Sequence, residues 1–235
     1  MLSSAARPRL LDLFCCEGGA GVGYSRAGFD VVGVDIEPQP NYPLKFVQAD
    51  ALEYVAAHGR EFDAIHASPP CQFGTGVQNL GRARNGGYPE HINLIPQTRA
   101  ALIKTGKPYS IENVSGARKH LISPVMLCGA YFGLKVYRHR FFECSFSVPH
   151  PVHTPHNDST PSAGNGKSPK GFISVCGTGG VRGMKAREII EYWQMAMGID
   201  WIDTRHKLAE AIPPAYTEYI GRYLMAAVME KHHAE

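Results

Sequence analysis

Short, nearly continuous apolar runs alternate with stretches of helical spacing over most of the chain. Arg9–Phe14 is the first run, and it enters the glycine-rich segment Gly18-Gly19-Ala20-Gly21-Val22-Gly23. Phe29–Val34 predicts a second strand ending in Asp35, and Leu44–Gln48 a third ending at Ala49-Asp50. Phe62–Ala67 predicts a fourth, which runs into Ser68-Pro69-Pro70-Cys71-Gln72. Runs this short, without polar alternation, fit strands covered on both faces, as in parallel sheets. Between them, Tyr24–Gly28 reads as a short helix closed by its glycine. Ala51–Ala57 reads as another, with Asp50 placed to cap it.

The alternation continues further along. Ile92–Thr105 reads as a helix despite Pro96 near its start, and Lys107–Ile111 as a strand that delivers Glu112-Asn113-Val114. Val136–Phe142 carries Arg138 and Arg140, which strand periodicity places on one face. Phe172–Cys176 reads as a return to strand, followed by the loop Gly177-Thr178-Gly179-Gly180. Lys185–Met197 is amphipathic, with Ile189, Trp193 and Met197 on one side, and Pro213-Pro214 starts a last helix over Ala215–Lys231. Strands and helices in this order predict an α/β fold with a mostly parallel sheet.

Two stretches break the rhythm. Phe73–Pro89 is rich in Gly, Asn and Arg and has no period; Arg82 and Arg84 give it phosphate-binding capacity. Val148–Lys170 is rich in Pro, His, Ser, Gly and Asn and reads as an irregular insertion. His150, His153 and His156 recur there at every third position and, with Cys144, compose a possible metal-ligand set. The interspersed prolines favour an extended polar loop instead, so no metal is expected. These breaks divide the chain into a core over 1–143, a small insertion over 144–183, and helices over 184–235 that return to the core.

Composition narrows the class only a little. The 235 residues, 44% hydrophobic and 19% charged, suffice for one α/β domain. A net charge of +3 permits a polyanionic partner without demanding one. Six cysteines lack the paired short spacings of a disulfide framework or zinc ribbon, and adjacent Cys15 and Cys16 suit a reducing compartment. No run is long and apolar enough to span a bilayer, and Met1–Arg9 lacks an apolar signal core; a cytoplasmic protein is expected.

The candidate chemistry sits at the strand ends. Open α/β sheets bind ligands at the carboxyl ends of their strands. Cys71 follows two prolines that stiffen its turn, which suits a nucleophilic thiolate, although a buried structural cysteine is the commoner fate. Glu112 ends a strand on the same rim, as a general acid, an orienting partner or a salt-bridged surface carboxylate. The glycine segment followed by Asp35 fits an adenosine-containing ligand, or a plain βαβ unit with a surface acid. Asp50 fits an adenine amino group, a helix cap, or both.

Taken together, these residues resemble the cytosine-5 DNA methyltransferase family, in a compact, phage-like form. The matching pieces span nearly the whole chain in the family's order: Asp12-Leu13-Phe14 with Gly18-Gly19, Asp35, Asp50, Pro69-Pro70-Cys71-Gln72, Glu112-Asn113-Val114, Arg138-His139-Arg140, and Ala211-Ile212-Pro213-Pro214 with Ile220-Gly221. The resemblance implies a Rossmann-like S-adenosylmethionine-dependent methyltransferase fold with a small target-recognition insertion. It implies that Cys71 attacks carbon 6 of a flipped cytosine in duplex DNA and that Glu112 holds ring nitrogen 3 and the amino group. Arg138 and Arg140 would hold the base carbonyl and orient the acid, with Arg140 the better placed. The cofactor would contact Phe14, Cys15, Gly18, Gly19, Asp35, Ile36, Asp50, Ala51, Pro70 and Ala211. A monomer is expected. Transfer RNA, a free nucleotide, or nucleic-acid binding with weak catalysis are the alternatives. The sequence departs from the family at Cys16 and Glu17, which replace small residues, and at Leu208-Ala209-Glu210-Ala211, where a Gly-Asn pair is usual. Base contacts in the insertion would come from Asn157, Asn165 or Arg182, with Lys167, Lys170, Arg182 and the histidines His150, His153 and His156 offering phosphate contacts.

Overall fold

The structure is a computed structural model that describes residues 6–70, 93–156, 171–176 and 185–234. A seven-stranded sheet runs through it, formed by β1 (Arg9–Leu13), β2 (Asp30–Asp35), β3 (Lys45–Gln48), β4 (Ala64–Ala67), β5 (Tyr109–Val114), β6 (Val125–Leu127) and β7 (Arg140–Cys144). The strand order is β3-β2-β1-β4-β5-β7-β6. β1 to β5 are mutually parallel, and β7 inserts antiparallel between β5 and β6. β1 has β2 on one side and β4 on the other, so the chain reverses its direction of travel across the sheet there. That reversal opens a crevice at the strands' carboxyl ends.

Helices cover both faces, as expected from strands with no exposed side. α1 (Gly19–Arg26) and the long α6 (Pro214–Ala234) lie on one face, where Tyr24, Phe29, Phe142, Tyr216 and Ile220 fill the core. α2 (Ala51–His58) and α3 (Ile95–Thr105) lie on the other, over Leu11, Val34, Ile65 and Ile111. α1 and α6 approach closely because Gly23 has no side chain: a Cβ there would collide with Thr217 Oγ1 and the Pro214 carbonyl. Thr217 Oγ1 instead donates to the Ala20 carbonyl at 2.8 Å. A third apolar cluster joins α4 (Ala186–Met197) and α5 (Arg205–Glu210) to Val136, Ile173 and Val175, with Trp193 and Met197 at its centre.

The fold class is the one expected, with local differences. Pro96 sits in the first turn of α3, where its missing N–H costs nothing, and the helix starts at Ile95 rather than Ile92. The expected strand over Val136–Phe142 is broken. Arg138 takes a left-handed φ of 37°, and regular pairing begins only at Arg140. Phe172–Cys176 contributes a single bridge, Ile173 to Val136, instead of a strand. β6 and α5 carry too few residues for a periodic signal and were not anticipated.

Candidate active site

The ends of β1 to β5 bring most of the expected residues to one rim. After β1 the chain turns sharply: Phe14 and Cys16 hold left-handed φ values of 57° and 44°, and Gly18 one of 84°. Such values cost of order 1–3 kcal/mol at non-glycine residues and persist only where surroundings enforce them. Asp35 supplies part of that enforcement, since its Oδ2 accepts from the Cys16 N–H at 2.9 Å and its Oδ1 from the Glu37 N–H at 3.0 Å. Its carboxylate therefore shapes the loop as well as facing the rim. Gly19 begins α1 against the segment before α6, where a Cβ would collide with the Ile212 carbonyl, and Ala211 packs beside it. Cys15 is buried, and desolvation pushes its thiol far above its ordinary range.

Ile36, directly after β2, is 64% exposed. A large aliphatic side chain so open to solvent between two acid-bearing strand ends makes an apolar shelf. Asp50 caps α2, its Oδ1 accepting from the N–H groups of Leu52 and Glu53 at 2.8 and 2.9 Å. Only one of its oxygens does the capping, so the cap and a ligand contact are compatible. Ala51 is buried behind it. The loop, shelf and acids form a set of acceptors and surfaces that fits an adenosine moiety.

Across the crevice, Asn113 Nδ2 donates to the Pro69 carbonyl at 2.9 Å. The two most specific sequence motifs are thus tied by one buried hydrogen bond. Pro69 is buried and Pro70 exposed; Cys71, the expected nucleophile, and Arg82 and Arg84 lie outside the described residues. Glu112 is 5% exposed and pairs with Arg140, whose Nε lies 3.0 Å from its Oε1. The pair is close but not aligned for a hydrogen bond, and Oε1 has no hydrogen-bond partner among the described residues. Burial raises the pKa of the Glu112 carboxyl; Arg140, Arg138 and the Ser68 hydroxyl oppose the shift. The result is a carboxyl whose Oε1 faces Arg140, accepts no hydrogen bond among the described residues, and has a raised affinity for a proton.

Arg138 departs from the expected paired role. Its guanidinium donates to the carbonyls of Ala211 (3.0 and 2.7 Å), Ala209 (2.6 Å) and Val175 (2.6 Å). The left-handed turn at Arg138 removes the alternation that would align it with Arg140, so it braces the turn before α6 instead of sharing a face. The departing residues also have local partners. Glu17 is buried, with its carbonyl accepting from Trp201 Nε1 at 2.7 Å, and Glu210 pairs with His206 at 3.3 Å.

A buried polar row on adjacent strands was not foreseen. Asp12, His66 and Ser110 lie in register on β1, β4 and β5. His66 Nδ1 lies 3.1 Å from Tyr24 Oη and 2.9 Å from Ser110 Oγ, and its Nε2 lies 3.0 Å from Ser68 Oγ. Desolvation lowers the pKa of His66 to about 3. Asp12 accepts from Tyr42 Oη at 3.3 Å, and burial pushes its carboxyl up to about 7. The only sequence signal was a histidine inside an otherwise apolar run.

The possible metal-ligand set of the sequence, which is not the expected reading there, is also regrouped. Cys144 lies in β7, where burial pushes its thiol up to about 12, and His150 is exposed; neither joins His153 and His156. Those two meet Cys128 and His139. Of the insertion, Asn157, Asn165, Lys167, Lys170 and Arg182 lie outside the described residues.

No protein-family model matches the sequence, and no curated protein does. Solved structures do resemble it. A DNMT2 variant from Spodoptera frugiperda superposes with a TM-score of 0.61 at 14% identity, over 93% of this chain and 99% of that one. The Entamoeba histolytica methyltransferase EhMeth gives 0.59 at 13%, over 95% and 99%. A candidate DNA modification methyltransferase encoded within an E. coli prophage gives 0.55 at 14%, over 95% and 99%. The chain adopts the methyltransferase fold of these proteins across nearly its whole length.

Proposed function

We propose that the chain is a DNA cytosine-5 methyltransferase that uses S-adenosylmethionine. The observation that carries this reading is the Asn113 to Pro69 hydrogen bond, which ties Pro69, two residues before Cys71 in sequence, to the strand end bearing Glu112. A nucleophile and an acid on two tethered strand ends match what cytosine demands. The ring is a poor electrophile, so attack at carbon 6 needs a partner for the charge that arrives on nitrogen 3.

Each residue then has a defined task. The Cys71 thiolate forms a bond to carbon 6, and Glu112 supplies a proton to nitrogen 3 while accepting from the amino group at its Oε1. Arg140 donates to the base carbonyl and holds the Glu112 carboxylate in the crevice. Arg138 acts by position, bracing the backbone around Ala211 on the cofactor side. S-Adenosylmethionine, when bound, supplies the methyl group that carbon 5 accepts. Loss of the carbon 5 proton to solvent, return of the nitrogen 3 proton to Glu112, and cleavage of the carbon 6 to sulfur bond with its electron pair leaving on Cys71 restore aromaticity and release the thiolate. Phe14, Gly18 and Gly19 line the cofactor's path, Ile36 packs on its adenine, Asp35 accepts from ribose hydroxyls, and Asp50 accepts from the adenine amino group. Cys15, Ala51 and Pro70 complete the lining.

A duplex substrate requires the target base to leave the stack, at a cost of a few kcal/mol. Residues 144–183 are the proposed recognition segment, with phosphate contacts setting position and a few side chains reading bases. The decisive experiment uses a duplex carrying 5-fluorocytosine, where fluorine cannot leave as the proton does. The wild-type chain should form a cofactor-dependent covalent adduct, and Cys71→Ser should form none while still binding S-adenosylmethionine. An adduct surviving in Cys71→Ser, or none in the wild type, would reject the mechanism.

A further inference from the structure

Four side chains from three segments converge beside the Arg138–Arg140 turn. Cys128 follows β6, His139 directly precedes β7, and His153 and His156 lie three apart on the extended segment beyond β7. Their ligand atoms all lie within 4.8 Å of one another. The three histidines face one another through Nε2: His139 to His153 at 3.2 Å, His139 to His156 at 3.1 Å, and His153 to His156 at 3.2 Å. Their ring centroids are each 5.0 Å apart, a threefold arrangement. Cys128 Sγ lies 3.5 Å from His156 Nε2.

Hydrogen bonding among the imidazoles does not account for this triangle. Each Nε2 either carries a proton or presents a lone pair, so around three mutual contacts at least one pair must match donor with donor or acceptor with acceptor. Three lone pairs directed at a common centre leave no such conflict if a cation occupies it. The spacing agrees with that solution. Zinc bonds of about 2.05 Å to nitrogen and about 2.3 Å to sulfur give tetrahedral edges of about 3.3 Å for two nitrogens and about 3.6 Å for nitrogen and sulfur.

We infer that Cys128, His139, His153 and His156 form a closed tetrahedral zinc centre that clasps the insertion to the catalytic rim. One thiolate and three imidazoles suit zinc among the common divalent ions. Four protein donors leave no open position, which marks a structural centre rather than a hydrolytic one. Binding displaces the Cys128 thiol proton, and the histidines bind neutral through Nε2. The surroundings hold the donors in place. His156 stacks on Tyr137 with centroids 3.5 Å apart and 8° between planes, and Tyr137 stacks in turn on Phe172 at 4.2 Å and 11°. His139 lies between Arg138 and Arg140, so the clasp sets the backbone that presents Arg140 to Glu112.

The inference stands apart from the methyl-transfer reading, because metal content is measured without substrate. The untagged full chain, purified from cells and incubated with micromolar zinc before dialysis, should carry one zinc ion per chain by mass spectrometry. Replacement by cobalt should give the intense visible bands of a tetrahedral site and a sulfur charge-transfer band. Cys128→Ser and His153→Gln should each weaken zinc binding by more than the roughly 100-fold that loss of an outer hydrogen-bond partner costs. His150→Ala and Cys144→Ala should bind as the wild type does. His153→Gln, on the segment outside the sheet, serves as the folded comparator if Cys128→Ser misfolds. A natively folded wild-type chain without stoichiometric zinc, or zinc retained at full affinity in His153→Gln, would overturn the assignment.

Discussion

His66 Nε2 lies 3.0 Å from Ser68 Oγ, which links the buried row on β1, β4 and β5 to the segment that follows β4. Ser68 stands three residues before Cys71 in sequence, and its hydroxyl opposes the burial-driven rise of the Glu112 pKa. Ser68→Ala should lower kcat at least several-fold with a much smaller change in cofactor affinity, because only Pro70 of the proposed cofactor residues shares its strand end. Equal rates in the two proteins would remove the network from the chemistry.

The same row makes a prediction about pH. His66, with a folded pKa of about 3 against an ordinary 6.5, binds its proton only when unfolded; the stability it permits is lost as pH falls from 6.5 toward 3. Asp12 has the opposite sign. Its folded pKa of about 7 exceeds 3.8, so the folded state holds the extra proton between those values and stability rises as pH falls through 7. Between pH 7 and 5 each contributes about 2 kcal/mol, and the two largely cancel. Asp12→Asn should therefore expose the His66 loss, with urea stability dropping by about 2 kcal/mol more than in the wild type over that interval. A parallel response in the two proteins would contradict the assignment of these charge states.

Asp50 separates structure from binding. Asp50→Ala should cost about 1 kcal/mol of stability through loss of the cap and should also weaken S-adenosylmethionine binding. Asp50→Ser keeps a capping oxygen and should restore stability without restoring affinity. Calorimetry showing wild-type affinity in Asp50→Ser would confine Asp50 to the helix end.

Arg138 and Arg140 should differ in kind. Arg138→Ala removes donors to the Ala209, Ala211 and Val175 carbonyls, and should destabilise the fold by about 1–3 kcal/mol per carbonyl left buried without a partner. Arg140→Ala should leave stability less affected and reduce turnover strongly, with Glu112 deprived of its cation. Melting curves and turnover measured on both variants distinguish bracing from chemistry; a reversed pattern would exchange the two roles.

The parallel half of the sheet was legible because each strand is a short apolar run ending in Gly, Asp, Pro or Glu at a chemically demanding turn. Asp35, Asp50, Pro69 and Glu112 reached the rim for that reason. The antiparallel edge was not legible. β6 spans only Val125–Leu127, and the left-handed Arg138 cuts a run that pattern alone makes continuous. Contacts made across the fold were equally hidden. Nothing local connects Asp12, His66 and Ser110, whose alignment arises from strand register. Spacing in the sequence groups the histidine repeat with nearby Cys144, whereas in the fold His153 and His156 meet Cys128 and His139, which arrive through β6 and the turn before β7.

The transfer of the methyl group itself is the most direct measurement. Methyl-labelled S-adenosylmethionine should be incubated with the full chain and, in parallel, with duplex DNA, transfer RNA and dCMP, and each product digested to nucleosides. The prediction is label in 5-methylcytosine from duplex DNA, abolished in Cys71→Ser and strongly reduced in Glu112→Gln. Label confined to transfer RNA or dCMP, label on another atom of the base, or undiminished transfer by Cys71→Ser would contradict it.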